Sequence, residues 1–420
     1  MSVFEAINSE SQDSKKFWTP DTKQKLVETF KNTVFQNSKS GVLKSVNLLL
    51  SQNYLVKLCP NSVNKKTLLD WKIVEPFMEE SDEDARFGFS VGHRGCSKEF
   101  YVENQETLDT WLKHLSKVAI MTDFENDFTV IKELGNGAFG TVYLVECIDT
   151  SEMFAVKSIS KQNVTANHVN LTNLMNEIKL IRKLDHPNIV KLHYVYESST
   201  HIYLVIDYVE GGNLFSRIIK RKVYNEKIAA KFTEKLLGVL SYLSSLDIAH
   251  RDLKLENILM VSEENDYDFK LADFGLAAEV TEGLHLRCGS PGYIAPEVLR
   301  KCYYGSKVDV FSAGVILYIL LCGKMPFPGN NIQDILLRNR DCKISFSRES
   351  WKNVSKLATA LVLKLTEPVA NFRPSAKEAL SDPWFEHQLN FALPQLPSVP
   401  KDSARSRFCS GRLGSSVQVS

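Results

Sequence analysis

The sequence predicts an α+β chain in two parts, strands first in each and helices dominating the second. Three observations predict it. From about 28 to 105, short stretches alternate apolar and polar residues between polar turns (LKSVNLLL, NYLVKLC, LLDWKIVEPF, RFGFSVG, KEFYVEN), the texture of half-buried strands. ETLDTWLKHLSKVA then places Leu108, Trp111, Leu112 and Leu115 on one helical face. Together these predict a small, self-contained domain over 28–120, several short strands closed by one amphipathic helix. A second unit over 128–385 opens with FTVIKELG, GTVYLVECI and MFAVKSI, and after the turn VEGGN is helical to about 387.

The rest of the chain is read by composition. Residues 1–27 are polar and expected to be loosely ordered, with a short helix at DTKQKLVETF. EESDEDA (79–85) reads as a solvated tip, and the tail 388–420, rich in Pro, Ser and Arg, has little to bury and reads as disordered. A net charge of +1 argues against a protein that coats nucleic acid. Eight cysteines with no CxxC pair or metal-ligand spacing point to reduced thiols in the cytoplasm. MSVFEAINSESQDSKK has neither the basic start nor the apolar core of a secretory signal, and no Gly follows Met for myristoylation. AGVILYILLCG (313–323) is shorter than the roughly 20 residues of a membrane span, so it reads as a buried helix.

The chemistry lies in the second unit. In LGNGAFGTV, Gly135, Gly137 and Gly140 sit between two strand patterns. The loop is therefore a Gly hairpin, able to let backbone N–H groups approach phosphates, with an ordinary hairpin as the alternative. FAVKSI puts Lys157 in an apolar strand, where it needs a counter-charge. Glu177 in NLMNEIKLI is a candidate, and a structural ion pair is the plain alternative. HRDLKLEN (250–257) could be a charged surface loop. However, in-line phosphoryl transfer needs a proton acceptor, a cation and oxygen ligands for Mg²⁺. Asp252, Lys254, and the pair Asn257 and Asp273 of ADFG can supply them in that order.

The ordered set G-x-G-x-x-G-x-V, A-V-K, Glu, H-R-D-x-K-x-x-N, D-F-G and A-P-E (295–297) resembles the eukaryotic protein kinase catalytic domain over 128–385. The resemblance implies a bilobal fold, with a β-rich small lobe and an α-rich large lobe, transferring the γ-phosphate of Mg-ATP to protein hydroxyls; Mn²⁺ could substitute for Mg²⁺. Leu134, Gly135, Asn136, Gly137, Gly140 and Val142 would cover ATP, and Lys157, held by Glu177, would grip its phosphates. Val142, Ala155 and Leu259 would enclose adenine beside a hinge at Asp207–Val209. Asp252 would be the base, Lys254 the phosphate cation, and Asn257 and Asp273 the metal ligands. Glu297 would pair with Arg373, and His250, Phe274, Ile181 and Leu192 would stack as a spine. Lys254 and GSPGY with Ser290 resemble serine/threonine kinases, and HPNIVKL, YLVIDYVEGGNLF and DPWF resemble the calmodulin-dependent-kinase group. The alternatives are a silent pseudokinase scaffold or a phosphoinositide-binding adaptor.

Three departures bear on control. Asn213 stands where many relatives have Glu; with Glu256 kept, a weakened preference for a basic residue upstream of the target hydroxyl is expected. Leu286 stands where related kinases carry a phosphorylatable Thr, leaving packing, or phosphate at Thr281 or Ser290, to hold the activation segment and favouring partial constitutive activity. No basic amphipathic helix follows 387 and no EF-hand loop is present, so calmodulin and calcium control are unsupported. The strands and Trp111 helix of 28–120 resemble a pleckstrin-homology (PH) domain, which implies a small β-sandwich or barrel capped by one α-helix. Its first loop, about 37–44, offers Lys39 and Lys44, with Lys31 near, for a phosphoinositide membrane surface; a structural or autoinhibitory role is the other expectation. The combined expectation is a cytoplasmic signalling kinase, regulated or localised by this domain.

Overall fold

The computed structural model describes residues 17–20, 29–37, 42–60, 62–80, 85–93, 96–137, 140–166, 168–281, 283–347 and 349–389. They fall in two compact units, one of 1–171 with 192–208, the other of 172–191 with 209–420.

The first unit begins with β1 (Thr19–Pro20), β2 (Phe30–Asn37), β3 (Leu43–Ser51), β4 (Tyr54–Leu58), β5 (Lys65–Leu68), β6 (Ile73–Glu80), β7 (Ala85–His93) and β8 (Cys96–Val102), then helix α1 (Gln105–Leu115). DTKQKLVETF, expected as a short helix, lies outside the described residues from 21 to 28, and its Phe30 opens β2. LLDWKIVEPF is not one strand. Lys72 N–H donates to Leu69 O (2.9 Å) and Asp70 accepts from the Asn53 amide (2.8 Å), so the chain turns between β5 and β6.

Asn104 caps α1, its side chain accepting the Thr107 N–H. The apolar face of α1 buries Leu108, Trp111 and Leu115 completely or nearly so. Trp111 meets Phe30 of β2 edge-on at 4.8 Å and Phe89 of β7 at 5.5 Å, so one side chain locks both halves of the strand set. Truncating such a buried aromatic costs about 3–5 kcal/mol.

The chain continues through β9 (Ile120–Met121), α2 (Phe124–Asp127), β10 (Phe128–Gly137), β11 (Gly140–Cys147), β12 (Met153–Ser160), α3 (Lys161–Thr165), α4 (His168–Lys183), β13 (Leu192–Glu197) and β14 (His201–Asp207). From Thr172 onward α4 belongs to the second unit. All fourteen strands described here join one sheet, in the order β1-β5-β4-β3-β2-β8-β7-β6-β9-β13-β14-β12-β11-β10. The joint is β9. Met121 pairs parallel with Val74 of β6 on one side and with Tyr196 of β13 on the other. A single apolar core runs through, from Val34, Leu48 and Phe100 to Phe128, Phe154 and Val205. The sequence places a boundary between 120 and 128; the structure puts a shared strand there.

The second unit holds α5 (Leu214–Arg221), α6 (Glu226–Ser245), β15 (Ile248–Ala249), a 3₁₀ turn at Leu255–Asn257, β16 (Ile258–Met260), β17 (Phe269–Leu271) and β18 (Ala278–Glu279). It continues with α7 (Pro296–Leu299), α8 (Lys307–Cys322), α9 (Ile332–Asp341), α10 (Lys356–Leu365), α11 (Ala376–Ala379) and α12 (Pro383–Leu389). Helix α8 is buried on every side from Val308 to Cys322, as a helix apolar all round must be. It packs against α6 and α10. Among the described residues, no helix is long and apolar enough to cross a membrane. The tail lies outside the described residues from 390 on.

Candidate active site

The second unit carries the charged loop. β15 delivers the chain to His250, and Asp309 in the first turn of α8 fixes its path by accepting the backbone N–H of His250 (2.7 Å) and of Arg251 (2.9 Å). Burial pushes the Asp309 carboxyl above its usual pKa, with His250 the first opposing influence. Arg251 sits at φ +67°, a region a branched-chain-free but bulky residue enters only when its surroundings over-determine it. The His250 ring accepts the Asp252 N–H at Nδ1 (3.3 Å), so Nε2 carries the proton toward Ala272 O (3.1 Å). Phe274 packs edge-on against this ring at 4.9 Å.

The β16–β17 hairpin brings the second pair of groups together. Ile258 pairs with Leu271, and Ala272 N–H donates to Asn257 O (2.8 Å). Asn257 therefore precedes one strand and Asp273 follows the other, at the same end. Asp273 is also held in the left-handed region, at φ +62°. Gly275 N–H approaches the Asp273 carboxylate at 3.4 Å, and a Cβ on Gly275 would lie 3.2 Å from Asp273 Oδ1 and 3.4 Å from Glu177 Oε2.

Asp252, 3% exposed, is the centre of this cluster. Its Oδ1 accepts the Ser290 hydroxyl (2.7 Å) and its Oδ2 accepts Lys254 Nζ (2.8 Å) and the Asn257 amide (3.3 Å). Lys254 also donates to Ser290 Oγ (3.0 Å). The Asn257 amide nitrogen also donates to Asp252 O (2.9 Å), which fixes the side chain and leaves its oxygen as an acceptor. One amide oxygen and one carboxylate, Asn257 and Asp273, suit a hard cation that keeps water and phosphate oxygens for its remaining positions.

The first unit carries the Gly hairpin. β10 and β11 pair antiparallel, with Gly135 opposite Val142, Asn136 opposite Thr141 and Gly137 opposite Gly140. Gly140 is required: at φ +153°, a Cβ would stand 2.2 Å from Ser158 O of β12. At Gly135 nothing lies within 4 Å of an added Cβ, and Leu134 beside it is exposed. Val142 pairs with Lys157 and Ala155 with Leu144, so the two-residue strand period sets Val142, Lys157 and Ala155 on one face of the sheet. Asp207 ends β14, its carboxylate 2.7 Å from His193 Nε2. Of the remaining predicted site residues, Leu259 lies on β16 opposite Lys270, Glu177 is buried on α4 and Val209 opens the second stretch of its unit. Lys157 thus stands in the first unit and Glu177 in the second.

One departure acquires a physical account. Asn213 is the N-cap of α5, its side chain accepting the Ser216 N–H at 2.9 Å, which a longer Glu does poorly. Glu256 is half-buried, and its Oε2 has no hydrogen-bond partner among the described residues. Burial pushes its carboxyl pKa up, opposed by its own backbone N–H and by Lys254. Arg373 and Glu297 pair through two parallel bonds of 2.7 and 3.0 Å, with Arg373 fully buried and its guanidinium 5.1 Å from the Phe311 ring. Sequence reasoning missed Asp309, although a lone acid in the first turn of an otherwise almost wholly apolar helix was a signal. It also missed the bond from Ser290 to Asp252.

Residues 128–385 match the family described as protein kinase domain. Myosin light chain kinase A of Dictyostelium discoideum is 38% identical over 268 residues, 63% of this chain and 90% of that protein. Probable serine/threonine-protein kinase 2 of Plasmodium falciparum is 38% identical over 263 residues, 62% of this chain and 51% of its own length. Calcium-dependent protein kinase 11 of Arabidopsis thaliana is 40% identical over 272 residues, 64% of this chain and 54% of the other. The chain spans about half the length of these last two.

Proposed function

The chain belongs to the protein kinase family and is a protein serine/threonine kinase; on that premise we propose how its residues divide the work and how it is controlled. The catalytic domain is of the calmodulin-dependent-kinase type. Leu134, Gly135, Asn136, Gly137, Gly140 and Val142 cover ATP, Lys157, held by Glu177, grips its phosphates, and Val142, Ala155 and Leu259 enclose adenine beside the hinge at Asp207–Val209. Asn257 and Asp273 hold Mg²⁺, which when bound neutralises phosphate charge. Asp252 orients the substrate hydroxyl and takes its proton, while Lys254 balances the negative charge nearby.

The observation that carries this reading is the bond from Ser290 Oγ to Asp252 Oδ1, with Lys254 3.0 Å from the same hydroxyl. A serine hydroxyl already rests where a substrate serine must place its proton. The test is γ-phosphate transfer from Mg-ATP to a degenerate Ser/Thr peptide library, comparing the protein with Asp252→Asn. Loss of a base of this kind costs about 10²–10⁴ in rate, so turnover falling by that much supports the assignment. Turnover unchanged in Asp252→Asn refutes it. A silent scaffold is not favoured, because every residue the chemistry calls for is present. Among the described residues seven cysteines stand as free thiols, in keeping with the cytosol, where we place the enzyme.

For residues 28–120 we propose a PH-like module that regulates or localises the kinase. Support comes from its seven strands, β2 to β8, followed by one C-terminal helix. Phosphoinositide binding is favoured by Lys57. Burial depresses its ammonium pKa, and Lys65 and Lys98 push the same way, so this cluster gains from an anion. Lys57 donates to Gln36 (3.0 Å), whose register partner is Lys44. Lys39 lies outside the described residues. Binding to phosphoinositide vesicles that Lys57→Ala and Lys44→Ala abolish would support it; equal binding to neutral vesicles would refute it.

A further inference from the structure

Arg251 precedes the proposed base, and its guanidinium is where an activation-segment phosphate would pair. Residue 286, the expected phosphate carrier, is a leucine with a 42% exposed side chain. Even so, the segment is tied down. Leu284 and Tyr304 exchange two backbone hydrogen bonds, Leu284 N–H to Tyr304 O (2.9 Å) and Tyr304 N–H to Leu284 O (2.8 Å). The Tyr304 hydroxyl donates to Leu286 O at 2.5 Å and accepts from Arg251 Nη1 at 3.3 Å. Arg251 Nε donates to Leu276 O at 2.6 Å, just after the DFG turn. One phenol therefore links the base-bearing loop to the segment that follows it, and one guanidinium links both to the metal-binding turn.

We propose that Tyr304 is a positioning residue that does the work of an activation-segment phosphate, latching the segment at Leu286 to Arg251 so that the kinase is competent without phosphorylation there. The latch suits its task. Tyr304 is 5% exposed, and burial pushes its phenol pKa well up, so it stays protonated and donates at any physiological pH. A phosphate is a charged, removable acceptor for Arg251; the phenol is a neutral, permanent one, held in register by the Leu284–Tyr304 bridge. Ser290 is a poor substitute carrier, since its hydroxyl is committed to Asp252 Oδ1 at 2.7 Å and a phosphate there would face that carboxylate.

The inference rests on the kinase assignment, and the experiment separates the two. Phosphatase-treated full-length protein, Tyr304→Phe, and Tyr304→Phe with Leu286→Glu are assayed on the same peptide, with Asp252→Asn as control and thermal midpoints recorded. The latch predicts that untreated and phosphatase-treated wild type are equally active. It predicts that Tyr304→Phe loses about tenfold in kcat/KM for peptide, the scale of one lost charge-assisted bond, while KM for ATP stays constant. It predicts that Leu286→Glu, which returns an acceptor to Arg251, recovers most of the loss. A wild type that is silent until phosphorylated overturns the latch, and so does a Tyr304→Phe enzyme of full activity. A loss that tracks lowered thermal stability and affects ATP equally also overturns it, since a structural role alone would give that. Phosphate incorporation identical in wild type and Asp252→Asn would instead count against the kinase assignment.

Discussion

The Tyr196 phenol donates to the Asp127 carboxylate at 2.5 Å, across the point where the N-terminal strands meet those of the kinase domain. Around it, Phe124 stacks on Tyr203 at 4.3 Å and on Phe128 at 5.3 Å, and Met121 pairs with both β6 and β13. Segment 120–127 is therefore built into the sheet rather than strung between domains. The first unit should unfold as one. Phe124→Ala, which removes a buried ring at about 3–5 kcal/mol, should lower the midpoint of β2–β8 and of β10–β14 together. Hydrogen exchange on full-length protein checks this: amides of β3 and β14 should lose protection in parallel, and protection lost in β3 alone would sink the idea.

The same bond predicts a pH signature. Burial raises the Asp127 pKa, and the Tyr196 hydroxyl is the leading influence pulling it down. With the folded value above the ordinary 3.8, the folded state takes up its proton first as acid is added. Stability therefore rises as pH falls from the raised value toward 3.8, and the cost of the buried carboxylate is felt in full above both. Tyr196→Phe strands that carboxylate, at about 1–3 kcal/mol. The destabilisation should be largest at neutral pH and shrink in mild acid. Denaturant midpoints of the two proteins across that range test it, and a pH-independent difference would contradict it.

Arg373 and Glu297 supply a third prediction. Both are buried and joined through two bonds, so Arg373→Met should cost about 3–5 kcal/mol by leaving a carboxylate unpaired. Replacing both with apolar residues should cost much less, because no uncompensated charge remains. Midpoints of the single and double variants give the answer; a double variant as unstable as the single would show that packing on Phe311, rather than charge, dominates.

What was legible in the sequence follows from what the chemistry demands. The ordered motifs from Gly135 to Arg373 were legible as a set because their sequence resembles the protein kinase catalytic domain, and residues 128–385 do match that family. Trp111 and its helix could be read because a buried face repeats at a fixed period. β9 could not. Two residues make no pattern, and their partners Val74 and Tyr196 are remote in sequence, so the join between the strand sets exists only in three dimensions. Tyr304 was hidden for a related reason: a tyrosine after APE is apolar filler until its hydroxyl is seen between Arg251 and Leu286. Asn213 read as a lost ligand contact, and only the Ser216 N–H shows what the side chain does instead.

Glu256 gives the last prediction. Its Oε2 is buried without a hydrogen-bond partner among the described residues, and its pKa is raised chiefly by that burial. A cation arriving from a substrate would relieve the cost of a buried carboxylate, so peptides with Arg upstream of the target serine should be preferred over Ala counterparts, by about tenfold for one charged pair. Only the ionised carboxylate attracts the cation, and a raised pKa keeps it protonated to a higher pH than an ordinary Glu. The preference should therefore fade as pH drops through a value above 4.5 and be full above it. Glu256→Gln should flatten the profile while sparing kcat on the Ala peptide. The ratio of kcat/KM for the two peptides, followed against pH, decides it: a ratio that Glu256→Gln leaves unchanged would mean that another acid reads the upstream residue.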